Sequence, residues 1–414
     1  MSSRACRRLL LPRIGLFAIG VLLPVACAAG APTIAYKPAA GAPAATALGT
    51  AATPATAALP STSPTERILR SKSVASSTPT ASTKPATDDS PAATDGSADT
   101  VYGFSAAELS YAPSTWQIQQ LEAMKATGIT SIRVDADWSV GQPDGPDSYS
   151  WTSLDQVVAS IQKAGLSVDL VIDGCPAWAA VSGVQGDQFA QPASPAAFAN
   201  WATAVVERYA SKGAKYFEIW NEPNNPIFWQ PSPNPAAYTA DLKAAYAAIK
   251  AVDPSAIVIS GGLAPEPDSS TSYSPLTFLE DMYADGAQGS FDGVGFHPYT
   301  YPLDPDTVGS VTAWTQMSET NPSIRSIMAA NNDSDKKIWI TEFGAPTSGT
   351  DANVSESEQS TELEEAISQV KQLSWIGSFY MYTWEDVTGE GFGLLTIDGV
   401  KKLAYAAVVA DLPR

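Results

Sequence analysis

From residue 101 onward one pattern recurs eight times: a short apolar run, a polar loop, then a stretch with apolar residues three or four apart. The runs are 101–104, 131–138, 167–173, 216–221, 256–261, 293–298, 337–342 and 377–384. Between them lie helical spacings such as Leu154, Val157, Val158 and Ile161, or Phe198, Trp201, Val205 and Tyr209, and residues 403–412 close the set. Short apolar runs mark strands, and a period near 3.6 marks amphipathic helices. Strands alternating with helices predict a parallel sheet covered by helices. Eight such units suit an α/β chain closed into a (β/α)8 barrel, the TIM fold, which typically takes roughly 250 residues plus insertions. The rival is an open doubly wound sheet, which usually carries a Gly-rich phosphate turn after its first strand. That turn here is Gly103-Phe104-Ser105-Ala106, without the pattern.

Residues 1–100 cannot share this architecture. All 11 Trp and 36 of the 38 aromatic residues lie after residue 100. The first hundred residues hold nine Lys+Arg and five Asp+Glu, and the remaining 314 hold 15 and 38, a net charge of −23. Arg4, Arg7, Arg8 and Arg13 precede an apolar stretch from Ile14 to Ala29, and small residues follow. That order predicts an export signal over residues 1–30, with an uncleaved anchor as the alternative. Cys27 after Val25-Ala26 resembles a bacterial lipobox, and Arg7-Arg8-Leu9-Leu10 faintly resembles a twin-arginine signal. Residues 31–100 are Ala, Thr, Ser and Pro, with nine prolines and too few apolar groups to offset ordering entropy. They are expected to be a disordered linker between export segment and domain. The chain is therefore expected to be secreted or tethered to the cell envelope.

Charge and composition exclude several classes. A net of −23 repels phosphate backbones, so no nucleic-acid partner is expected. One histidine, His297, and three cysteines without a CxxC pair leave no His- or Cys-rich zinc site and no disulfide framework. Ser-His-Asp chemistry is disfavoured by the same shortage, and Gly-x-Ser-x-Gly is missing. Cys175 is most simply a small buried apolar group.

In such barrels chemistry sits at the C-terminal ends of the strands. The fourth run ends Ile219-Trp220-Asn221-Glu222-Pro223 and the seventh Ile340-Thr341-Glu342-Phe343-Gly344. A charged group beside an apolar core is costly unless partnered or used. Two carboxylates on facing strands are what glycoside hydrolysis needs: one ionised to attack, one with a raised pKa to protonate the leaving oxygen. Arg133 on the second run would keep the attacking carboxylate ionised. Tyr299 would donate a hydrogen bond to it, and Asn221 would bond the sugar 2-hydroxyl. His297 stands beside Tyr299 at the end of the sixth run, where a pocket role and a purely structural one are equally open. Trp384, ending the eighth run, is expected to be a sugar platform. Trp138, Trp178 and Trp229 fall in loops on the same face, as platforms or as loop packing. No metal or organic cofactor is expected, because two carboxylates and water suffice.

Ile-Trp-Asn-Glu-Pro at 219–223, His-Pro-Tyr at 297–299 and Thr-Glu-Phe-Gly at 341–344 resemble clan A of the retaining glycoside hydrolases, over about residues 101–414. The resemblance implies Glu222 as acid/base and Glu342 as nucleophile, with Arg133, His297, Tyr299 and Trp384 at supporting positions. Within the clan the chain most resembles family 39 enzymes acting on bacterial exopolysaccharides or xylosides. A family 5, cellulase-like enzyme is the alternative. Members of family 5 commonly carry a histidine after the third strand, where this chain reads Asp173-Gly174-Cys175-Pro176-Ala177-Trp178. The expected activity is hydrolysis of O-glycosidic bonds in a poly- or oligosaccharide by a monomer. The alternative is a barrel that binds carbohydrate without cutting it, or one that serves as an envelope-tethered scaffold.

Overall fold

The computed structural model describes residues 100–184, 187–305, 307 and 309–413. Eight parallel strands run in sequence order around a closed barrel, and the first pairs with both the second and the eighth. They are β1 (Val101–Ser105), β2 (Ser131–Asp137), β3 (Ser167–Asp173), β4 (Ala214–Asn221), β5 (Ile257–Gly262), β6 (Gly293–Phe296), β7 (Lys337–Phe343) and β8 (Ile376–Met381). Outer helices alternate with them: α1 (Ser114–Lys125), the one-turn α2 (Trp138–Gly141), α3 (Thr152–Ala164), α4 (Pro195–Tyr209) and α5 (Pro235–Val252). Then come α6 (Pro275–Ala284), α7 (Ile324–Ala330), α8 (Glu356–Val370) and α9 (Leu403–Asp411). The expected (β/α)8 barrel is the observed fold. The expected export segment and linker lie outside the described residues, except Thr100, whose hydroxyl donates to the Ile376 carbonyl in the barrel. Among the described residues no helix is long and apolar enough to cross a membrane.

Helix starts are written locally. Ser194, Asn234 and Ser274 each accept a backbone N–H from the first turn of α4, α5 or α6, and each is followed by proline at the first helical position. Proline lacks only a donor that would be orphaned there anyway. Ser323 and Ser355 close reciprocal capping boxes on α7 and α8.

The barrel interior matches large side chains with missing ones. Trp339 lies across the lower interior, against Tyr216 at 5.2 Å between ring centroids. A Cβ on Gly293 or Gly377 would fall 2.3 or 2.5 Å from the Trp339 indole. A Cβ on Gly103 would fall 2.4 Å from Tyr380. The indole and phenol thus fill volume that three glycines leave open.

Two strands end differently from the sequence pattern. β6 stops at Phe296, so His297 and Tyr299 stand on the loop beyond it. β8 stops at Met381, because the chain folds back there and Thr383 exchanges backbone hydrogen bonds with Phe392 and Leu394 of a returning loop.

The domain also buries carboxyl groups away from the strand ends. Burial pushes Asp241 on α5 and Glu362 on α8 up to about 8, and among the described residues neither finds a hydrogen-bond partner for its side-chain oxygens. Burial also lifts Glu108 and Asp135 to about 7. A carboxyl whose folded pKa exceeds its unfolded one favours the fold at low pH and withdraws that support as pH climbs through the folded value. Thermal stability should therefore fall as pH rises from the ordinary values of 3.8 and 4.5 towards about 8. Replacing Asp241 by Asn should raise Tm by about 2 °C or more at pH 8, and by less at pH 5. Calorimetric melts at both pH values check this, and an equal gain at both would remove the buried carboxyl as the cause.

Candidate active site

Glu222 leaves β4 on a strained corner. Trp220 and Glu222 both have positive φ, at 72° and 45°. The left-handed region costs a non-glycine residue about 1–3 kcal/mol. Neighbouring contacts hold the corner in place: the Trp220 indole donates to the Phe228 carbonyl at 2.7 Å, and Glu222 N–H donates to the Gly262 carbonyl at 3.1 Å. The corner places the Glu222 carboxylate in the barrel mouth. There Oε2 accepts from Asn225 Nδ2 at 3.0 Å and Oε1 lies 2.9 Å from His297 Nδ1.

Glu342 enters the same mouth from the end of β7. Its Oε1 accepts from Arg133 Nη1 at 2.7 Å, and its Oε2 accepts from the Tyr299 hydroxyl at 2.9 Å. His297 Nδ1 stands 3.6 Å from Glu342 Oε2. Burial acts to raise the Glu342 pKa, but the charges of His297 and Arg133 and the hydrogen bonds from Tyr299 and Arg133 outweigh it, so the carboxyl is held below the usual range. Burial and the Glu342 charge drive the Tyr299 phenol well above its ordinary value, so it stays a donor. His297 is pulled the other way by its neighbours. Burial lowers its pKa, yet Glu342 and the hydrogen bond and charge of Glu222 raise it overall.

Arg133 organises the remainder. Its Nε donates to Glu218 at 2.6 Å, Nη1 also to Ser105 at 2.9 Å, and Nη2 to Asn221 Oδ1 at 2.8 Å. Asn221 therefore spends its side-chain oxygen on Arg133, and among the described residues none accepts from its amide N–H groups. Glu218 on β4 is fully buried and was not singled out from the sequence. The signal was present: an acid between Phe217 and Ile219 in an apolar strand demands a partner. Thr341 and Asn225 were missed for a different reason, since their residue types are common in loops and strand ends.

The structure thus brings together Glu222, Glu342, Arg133, Asn221, His297 and Tyr299. It does not add Trp384. That ring is 1% exposed, packs edge-on against Phe104 at 5.1 Å and donates its N–H to Gln120. The fold-back after Met381 turns it into the core and leaves no face for a sugar. Trp138 and Trp229 are also fully buried, Trp138 as the first residue of α2 with its N–H on Gln142. Trp178 alone of these four is exposed, at 37%, edge-on to Trp138. The aromatic ring near Glu342 at the end of β8 is Tyr382, whose hydroxyl donates to Glu390 and whose pKa burial, Glu390 and Glu342 push well up.

One ligand atom each from Glu222, His297 and Glu342 lies within 4.8 Å of the others, close enough to hold a metal ion. The donor set argues against such an ion, because Arg133 and Tyr299 already occupy the Glu342 oxygens.

The sequence model for cellulase, glycosyl hydrolase family 5, matches residues 94–382. The chain belongs to glycosyl hydrolase family 5. This is the family given above as the alternative, and solved structures similar to the chain come from both named families. One is a family 39 glycoside hydrolase from Bacteroides cellulosilyticus, at 24% identity and TM-score 0.58, covering 78% of this chain and 65% of that one. Another is a monomeric beta-xylosidase from Caulobacter crescentus, at 20% identity and TM-score 0.54, covering 76% and 68%. GH5_18 from Streptomyces cattleya, in complex with GlcNAc, gives 15% identity and TM-score 0.58, covering 76% and 79%. At these identities the likeness is one of fold, and the chain spans about two thirds of the length of the first of them. No curated protein matches the chain.

The placement of the two β8-end aromatics separates core from cleft. Trp384→Phe should cost about 1–3 kcal/mol of stability through lost volume and an unpaired Gln120, with glycan affinity unchanged. Tyr382→Ala should weaken glycan binding about tenfold, or about 1.4 kcal/mol. Thermal melts and binding calorimetry check both, and loss of affinity in Trp384→Phe at unchanged Tm would return that residue to the cleft.

Proposed function

We propose that the protein is an exported, monomeric glycosidase that cleaves O-glycosidic bonds of a poly- or oligosaccharide with retention of configuration. The observation that carries this reading is the spacing of the two glutamates. A carboxylate oxygen of Glu222 and one of Glu342 lie within 4.8 Å. Oxygens in such close reach support double displacement, whose carboxyl groups stand roughly 5–5.5 Å apart, over single displacement, which spreads them to roughly 6.5–9.5 Å to admit a water.

Glu342, held ionised by Arg133 and Tyr299, attacks the anomeric carbon and forms a glycosyl-enzyme bond. Glu222 gives its proton to the departing oxygen as the old bond breaks. Glu222, now a carboxylate, takes a proton from an incoming water, and the hydroxide displaces Glu342 from the same carbon. Two inversions return the original anomer. The amide N–H of Asn221 faces the bound sugar as a hydrogen-bond donor. Export rests on the basic-then-apolar order of residues 1–30, and N-terminal sequencing of the protein from a native host's culture fluid tests it.

Glu342→Gln should abolish turnover, whereas Glu222→Ala should retain measurable cleavage of an aryl glycoside with a good leaving group and regain rate with azide. NMR of the first-formed product should show the substrate's anomer. An inverted product, or full activity of Glu342→Gln, would overturn the assignment, and binding without hydrolysis would favour a carbohydrate-binding barrel. The acid limb of kcat/KM should lie below the ordinary carboxyl value of 4.5, because the folded site depresses Glu342. EDTA should leave the rate unchanged.

A further inference from the structure

The hydrogen bonds behind His297 determine which of its nitrogens carries a proton. Glu218 receives three donors: Arg133 Nε on Oε2 at 2.6 Å, and Gly262 N–H at 2.8 Å and the Thr341 hydroxyl at 3.0 Å on Oε1. A carboxylate so filled only accepts, so Thr341 spends its single hydroxyl proton on it. Thr341 Oγ1 also lies 3.0 Å from His297 Nε2. With its proton committed, the hydroxyl can only accept there, and Nε2 must be the N–H.

We propose that Glu218, acting through Thr341, locks His297 in its Nε2–H form, so that His297 Nδ1 and Glu222 Oε1 share one proton. Glu218 is thereby a positioning residue for both carboxylates, through Arg133 towards Glu342 and through Thr341 and His297 towards Glu222. The inference rests on the acid/base role proposed for Glu222. When that proton goes to the leaving oxygen, the Nδ1 lone pair faces the Glu222 carboxylate 2.9 Å away. Two facing acceptors repel each other until the carboxylate takes a proton from water, and that proton restores the shared one. The groups around the ring are few. Glu222 and Glu342 face Nδ1, Thr341 faces Nε2, and Tyr299 stands edge-on at 6.2 Å. Arg133 acts on the ring by charge, and from β5 Gly262 lies against it, where a Cβ would fall 2.2 Å from Nε2.

The sequence holds a single histidine, so a tag-free chain labelled with 15N-histidine gives one imidazole. Across a pH titration the Nε2 shift should stay that of a protonated nitrogen while Nδ1 alone responds. A neutral form with its proton on Nδ1 would overturn the proposal. Glu218→Gln risks the fold because it strands Arg133, so the companion variants are Thr341→Val and Thr341→Ser. Thr341→Val should move the basic limb of kcat/KM down by about one pH unit. It should slow substrates with poor leaving groups at least tenfold more than those with good ones, and Thr341→Ser should restore both. An equal loss on all substrates with an unmoved limb would reduce Thr341 to packing. Glu342→Gln run alongside separates the two readings. An inactive Glu342→Gln with an unaltered Thr341→Val profile sinks only the lock, whereas an active Glu342→Gln sinks the glycosidase mechanism itself.

Discussion

The guanidinium of Arg133 touches four side chains drawn from β1, β4 and β7, and the mouth of the barrel is arranged around it. Its side chain is 4% exposed, so its charge is not diluted by water. A buried cation demands compensation, and here two carboxylates supply it. Glu218 takes the permanent share and Glu342 the share that chemistry can use. Because the fork is planar and its donors point in fixed directions, the cation positions Glu342 as well as keeping it ionised. The same fork turns the Asn221 amide outward. One side chain thus couples Asn221 on β4, the proposed sugar contact, to Glu342 on β7, the proposed nucleophile.

The opposite carboxylate is supported by a different means. Glu222 sits on a corner with two non-glycine residues at positive φ, and contacts at Phe228, Gly262 and Asn225 hold that corner in place. Its side chain meets the amide of Asn225 and the ring of His297, with no fixed guanidinium beside it. One glutamate is therefore pinned by a cation and the other by amide and imidazole, an asymmetry that suits them to the different roles proposed for them.

The barrel was legible in the sequence because periodicity reports burial directly. The two glutamates stood out as charges terminating apolar runs. The family 5 alternative was also on the page, though the sequence after β3 pointed away from it. What sequence alone misjudged was the direction of side chains after strands end. Trp384 reads as the last residue of an apolar run, yet the chain folds back at Met381 and rotates it into the core. That fold-back depends on hydrogen bonds to a loop more than ten residues later, which no local pattern encodes. Glu218 escaped for another reason. Its pairing with Arg133 spans 85 residues, and only the closed barrel makes them neighbours.

Trp339, seated between glycines on two neighbouring strands with Tyr216 against it, has a consequence beyond packing. It packs the lower end, so the barrel interior there is a core and not a channel. Whatever reaches the glutamates and whatever departs must cross the same rim. A glycan could not be threaded through a barrel packed in this way, and would have to be laid across its upper face.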